Sequence, residues 1–137
     1  MLRNILGVVA GVVSWLIVAI ICGFIIVASW PEYVAVADAM NFTLPMMIAR
    51  LSVGALATVS AGFLTALIAR ANIAPLITGV LLLIAFVPQH MMLWDKFPIW
   101  YHLTFLLSLV PLAYAGGRIR WAMATSPLGH VADERPR

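Results

Sequence analysis

The sequence predicts an all-α membrane protein, an antiparallel up-down bundle of four transmembrane helices. Four long apolar stretches with almost no ionised residue inside them lead to this prediction, and they cover residues 5–30, 44–69, 74–93 and 99–117. Each is close to the ~20 residues that a helix needs to cross a hydrocarbon core of ~30 Å. Of the 137 residues, 64% are hydrophobic and only 9% are charged, whereas about a quarter of a soluble domain is charged. The chain therefore forms one domain that lies almost entirely in the bilayer.

Proline residues mark the ends of these stretches. Trp30-Pro31 ends the first stretch, because proline cannot continue the backbone hydrogen-bond ladder of a helix. Pro45, Pro75 and Pro98 stand near the start of the other three, where proline is tolerated because its position needs no backbone N–H. Short turns join the second stretch to the third and the third to the fourth. Such turns force antiparallel neighbours.

Two segments lie outside the four spans. Residues 31–43 are expected to form a loop that contains a short helix on the membrane surface, because the segment is hydrophobic. Residues 1–120 form the transmembrane domain in this prediction. Residues 121–137 then form a flexible cytoplasmic tail, since the end of the chain is rich in Ser, Pro, Gly and charge.

The distribution of basic residues predicts the orientation. Six of the eight fall on one side of the predicted bundle: Arg3, Arg70, Arg118, Arg120, Arg135 and Arg137. Arg50 and Lys96 fall on the other side, together with three acidic residues. The positive-inside rule then places both termini in the cytoplasm. Because this placement accounts for the net charge of +3, the charge does not indicate a nucleic-acid partner.

Small residues recur at helical spacing and predict close helix contacts. The first span carries Gly7 and Gly11, and the second carries two adjoining ridges: Gly54, Thr58, Gly62 and Ala66 on one, and Ala57, Ala61, Thr65 and Ala69 on the other. In lipid, small residues let helix backbones approach each other closely. The ridges fit packing inside one bundle, with the second span at its centre, and they also fit a face for self-association.

The candidate ligand-binding residues lie at one depth near the outer side: Arg50, Gln89, His90, Asp95 and His102. His90 and His102 are symmetric about the turn near Lys96, so an antiparallel hairpin brings them to the same height. Ionisable residues inside a membrane are functional candidates. Arg50 and the two histidines are therefore candidates to line an outward-facing polar pocket for an anion, a lipid headgroup or a small polar ligand.

Two other interpretations of these residues stay open. In the first, Arg50 extends to the headgroups and both histidines sit at the wet interface. In the second, His90 and His102 bind a metal or haem with Met91 or Met92 as soft ligands, although two histidines alone do not establish such a site. We therefore predict no metal and no cofactor.

We also predict no enzymatic activity, because no catalytic triad, paired acids, phosphate-binding loop or Cys–His cluster occurs in the sequence.

The start of the chain, from Met1 to Gly11 (MLRNILGVVAG), resembles the start of a group of small four-helix bacterial inner-membrane proteins. Ala69-Arg70 after the second span and Gly116-Gly117-Arg118 after the fourth also resemble this group. The resemblance covers about 120 residues. It implies the fold and a location in a bacterial inner membrane, and it implies no activity and no functional residue.

Two functions follow from these patterns. The first is helix association, in which the protein acts as a homo-oligomer or as an accessory subunit of a larger membrane complex, with the lipid bilayer as its surroundings. The second is binding or transport of a small polar or anionic ligand in a pocket lined by Arg50, His90 and His102.

Overall fold

The computed structural model describes residues 1–69 and 71–125, and these ranges contain helices and no strand. The helices are α1 (Leu2–Ser29), α2 (Pro31–Ala37), α3 (Leu44–Ile68), α4 (Ala74–Met92) and α5 (Ile99–Ala124). All of them except α2 are long and apolar enough to cross a membrane. The predicted fold class is confirmed: the chain is a multi-pass, all-α membrane protein with four candidate spans.

The helix boundaries differ from the predicted ones mainly at the end of the last span. α5 continues past Gly117 to Ala124, because no proline or other helix breaker stands between these positions. Residues 121–124 of the predicted tail are therefore helical, and residues 126–137 lie outside the described residues. The short helix predicted after the first span is α2, which begins at Pro31.

α3 is the centre of the bundle, as predicted, because it packs against α1, α4 and α5. The face of α3 that carries Gly54 and Gly62 packs against α5: a Cβ at Gly54 would lie 2.6 Å from the ring of Phe105, and a Cβ at Gly62 would overlap the carbonyl of Ala113. The adjoining face, which carries Ala61, packs against α1. The small residues of α3 are thus covered by other helices of the same chain.

α1 and α3 touch closely at one end and separate toward the other. A Cβ at Gly7 would lie 2.9 Å from Ala69, and one at Gly11 would lie 2.8 Å from the carbonyl oxygen of Ala61. Further along, the Trp15 indole Nε1 donates a hydrogen bond to the Thr58 hydroxyl at 3.0 Å. At Gly23 no atom outside the local helix lies within 4 Å of a Cβ position. The second half of α1 therefore leaves space between itself and the rest of the bundle.

Candidate functional site

A cavity of about 450 Å³ occupies the space beside the second half of α1. It lies toward the end of the bundle where α1 and α4 finish and α3 and α5 begin. The short helix α2 is at this end, which we call the α2 end. Its polar lining comes from α2, α3, α4 and α5: Tyr33, Arg50, Gln89, His90, Tyr101 and His102. Four of the five candidate residues predicted from the sequence thus line one cavity.

Arg50 is held inside the bundle by two tyrosine hydroxyls. Its Nη1 donates a hydrogen bond to the hydroxyl of Tyr33 at 2.6 Å, and its Nε donates one to the hydroxyl of Tyr101 at 3.3 Å. Both tyrosines are buried. The side chain is therefore fixed by α2 and α5, which does not fit the interpretation that Arg50 only extends toward the headgroups.

The positive charge of Arg50 has no carboxylate partner among residues 1–69 and 71–125. Its contacts there are the two hydroxyls and two aromatic faces, with its Cζ 4.8 Å from the ring centroid of Phe42 and 5.8 Å from that of Phe97. A guanidinium has five N–H donors, and the two tyrosines use two of them. Aromatic faces and hydroxyls stabilise a cation without neutralising it. An anion in the cavity would provide the missing charge.

His90 and His102 meet directly across the α4–α5 turn. Their Nδ1 atoms lie 2.8 Å apart, which is a hydrogen bond. One Nδ1 therefore donates a hydrogen and the other accepts it, because a neutral imidazole has one N–H and one lone pair. Two hydrogens cannot occupy this contact, so the pair holds at most one positive charge while the bond is intact. Their convergence agrees with the expectation from their symmetric spacing about the turn.

Both histidines are buried, which contradicts the interpretation that they sit at a wet interface. His90 is 8% exposed and His102 is 0% exposed. The ring of His90 stacks on Phe105, and that of His102 stacks on Trp94 with the centroids 4.8 Å apart. His102 Nε2 is buried and has no hydrogen-bond partner in the described part of the chain. Such an atom destabilises the fold unless it gains a partner, so packing alone does not explain this pair.

The remaining candidates are placed differently. Gln89 lines the cavity and is exposed, so the cavity reaches the surface beside it. Asp95 is exposed in the turn after α4 and is not among the lining residues. Met91 and Met92 are exposed and are also absent from the lining. Within the described ranges, no group of three or more His, Cys, Asp or Glu side chains could hold a metal ion.

Tyr33 and Tyr101 belong to the candidate site, and sequence reasoning did not include them. Their position near the ends of spans suggests an aromatic belt at the membrane interface, yet both are buried and bind Arg50. An arginine more than a turn inside an apolar helix needs polar partners. This need could have pointed to the nearby tyrosines as partners of Arg50. The position of Tyr101 next to His102 in the sequence was a second signal for Tyr101.

Comparison with protein-family models, with curated proteins and with solved structures finds no match.

Proposed function

We propose that the protein binds an anionic ligand in the cavity at the α2 end, with Arg50 as the principal contact. The observation that supports this proposal is the half-buried guanidinium, which is held in place by Tyr33 and Tyr101 and lacks a carboxylate partner among the described residues. The two tyrosine oxygens accept hydrogen bonds from Arg50. Their own O–H groups are then available to donate to an anion.

The histidine pair adds an N–H donor beside Arg50, and the number of hydrogens that the pair carries can change. Whichever way the shared hydrogen lies, one of the outer Nε2 atoms carries a hydrogen and the other carries a lone pair. Protonation of the pair would give both Nε2 atoms a hydrogen and add one positive charge. An anion beside Arg50 favours that state by Coulomb attraction. Arg50 and the histidine pair together are suited to binding an anion, and we propose no catalytic step.

Helix association as the function stays a prediction. The small residues that suggested it are explained by packing within the chain: Gly7 and Gly11 lie against α3, and Gly62 lies against α5. The anion-binding proposal has a separate basis, because the charge of Arg50 has no carboxylate partner among the described residues and Nε2 of His102 has no hydrogen-bond partner there. We therefore favour it as the function.

The first test is binding of acetate to the protein in phosphatidylcholine nanodiscs, measured by saturation-transfer NMR. Arg50→Gln should weaken binding by about tenfold or more, because a hydrogen bond to a charged group contributes about 1.5–3 kcal/mol. Lys96→Gln is the matched control: it removes a positive charge at the same end, but Lys96 is exposed and does not line the cavity. Equal binding by all three proteins, or none by the wild type, would refute the proposal.

We further propose that the α2 end faces outward and that both termini are cytoplasmic, in a bacterial inner membrane. Arg3, Arg118 and Arg120 all lie at the opposite end of the bundle, as the positive-inside rule requires for a cytoplasmic side. This orientation opens the cavity to ligands from outside the cell.

The orientation can be tested by cysteine labelling. Cys22 is the only cysteine, so Cys22→Ser provides a background for single cysteines. A membrane-impermeant maleimide should label Lys96→Cys in intact spheroplasts and should label Arg118→Cys only after permeabilisation; both positions are exposed. Labelling in the reverse order would show that the cavity opens toward the cytoplasm.

A further inference from the structure

We infer that the ligand is a single-chain anionic amphiphile, whose oxyacid headgroup binds Arg50 and whose hydrocarbon chain lies along α1 inside the cavity. This inference rests on the proposed function and extends it to a ligand class. It comes from the composition of the cavity, because one continuous space has a charged polar end and an apolar end.

The apolar end follows one face of α1. The lining residues there are the adjacent pair Trp15 and Leu16, followed at intervals of three or four residues by Ala19, Gly23 and Ile26. Ile26 lies eleven positions after Trp15, which corresponds to about 16 Å of helix. The space thus extends along α1, as a hydrocarbon chain would. A small hydrophilic anion would use only the polar end.

Aromatic side chains close the deep end. Trp15 packs against Phe86 with ring centroids 4.6 Å apart, and Phe86 packs edge-on to Phe105 at 5.2 Å. The indole N–H of Trp15 already donates to Thr58, so the rings present an apolar surface with no free donor. Charged or hydroxylated groups would lose their hydration here without gaining partners.

The size and the position of the cavity favour one chain over two. A volume of about 450 Å³ lies in the lower half of the range for small-molecule pockets, ~300–1,000 Å³. Leu16 lines the cavity and is also 51% exposed on the surface of α1, so the apolar end borders the surface that faces lipid. An amphiphile already dissolved in the bilayer therefore has its chain at the correct depth and its headgroup near Arg50.

Gly23 provides a selective way to block the apolar end. It lines the cavity, and a Cβ at this position would meet no atom within 4 Å. Gly23→Leu therefore adds side-chain volume at a lining position where the first added atom has open space. Ala28→Leu is the matched control, since it adds a similar side chain on the same helix at an exposed position outside the lining.

The experiment uses dodecanoate with a photoreactive diazirine near its terminal carbon, added to the protein in phosphatidylcholine nanodiscs. Crosslinked residues are identified by mass spectrometry. Wild type and Ala28→Leu should be labelled on the face of α1 that lines the cavity, which carries Trp15, Ala19 and Ile26, and unlabelled dodecanoate should displace the probe. Gly23→Leu should reduce this labelling by about fivefold or more. Competition by dodecyl phosphate in a parallel sample distinguishes a phosphate headgroup from a carboxylate.

The outcomes separate this inference from the proposed function. If acetate binds through Arg50 but the probe labels lipid-facing residues such as Ile20 and Phe24 equally in wild type and Gly23→Leu, the amphiphile is excluded and anion binding stands. If Arg50→Gln changes neither acetate binding nor labelling, both proposals fail.

Discussion

Replacing Gly62 with alanine is expected to destabilise the bundle by about 3 kcal/mol. A Cβ at this position would overlap the backbone carbonyl of Ala113, which is a main-chain atom of α5 and cannot rotate away. α3 and α5 would have to separate, and the neighbouring contacts between Gly54 and Phe105 and between Gly116 and Val59 would loosen with them. The measurement is reversible unfolding in mixed micelles, with the helical signal followed as sodium dodecyl sulfate is added.

Gly23→Ala is the control for this substitution. It is the same change in the middle of a span, but its Cβ would meet no atom within 4 Å. Alanine favours helix over glycine by about 0.8–1.0 kcal/mol, so this variant should be as stable as the wild type or slightly more stable. If the two variants lost equal stability, the close approach of α3 and α5 at Gly62 would be wrong.

Replacing His90 and His102 together with leucine should leave the bundle about as stable as the wild type, whereas His102→Leu alone should destabilise it by about 1–3 kcal/mol. The single variant leaves the Nδ1 of His90 buried without its partner. The double variant removes that atom and also removes the unpartnered Nε2 of His102. Leucine is close to histidine in volume, and such substitutions are tolerated best.

The same double variant separates a structural role of the pair from a role in binding. If the histidines only fill space, acetate binding should survive as well as the fold. We expect it to weaken by about tenfold, because one donor to a charged ligand contributes about 1.5–3 kcal/mol. The readouts are the unfolding curve and saturation-transfer NMR on the same preparation. A double variant that folds and binds like the wild type would exclude the histidines from binding and leave Arg50 and its two tyrosines as the polar contacts.

Much of the fold could be predicted from the sequence because the bilayer imposes simple rules on it. The four spans begin close to the predicted residues, and Pro31 marks the break between α1 and α2 as expected. The alternating direction of the spans follows from the short turns. The shared height of His90 and His102 follows from the same reasoning, since residues equidistant from a tight turn lie side by side.

The sequence did not predict which neighbouring helix each side chain points toward. The small-residue ridges of α3 identified which faces pack closely, but nothing in the sequence distinguished α1 from α5 as the neighbour of each ridge. The position of Asp95, outside the cavity, depends on how the turn after α4 is directed. The contact between Arg50 and Tyr33 depends on where the short α2 lies.

The sequence by itself determined the number of the spans, where they begin and their alternating directions, because a backbone in hydrocarbon must form its own hydrogen bonds and helices do so locally. The tertiary structure decided which polar groups meet. Lipid chains are as apolar as a helix interface, so hydrophobicity does not mark the buried face of a span. Only the packing of α1 against α3 at Gly7 and Gly11, and its separation near Gly23, creates the cavity beside Arg50.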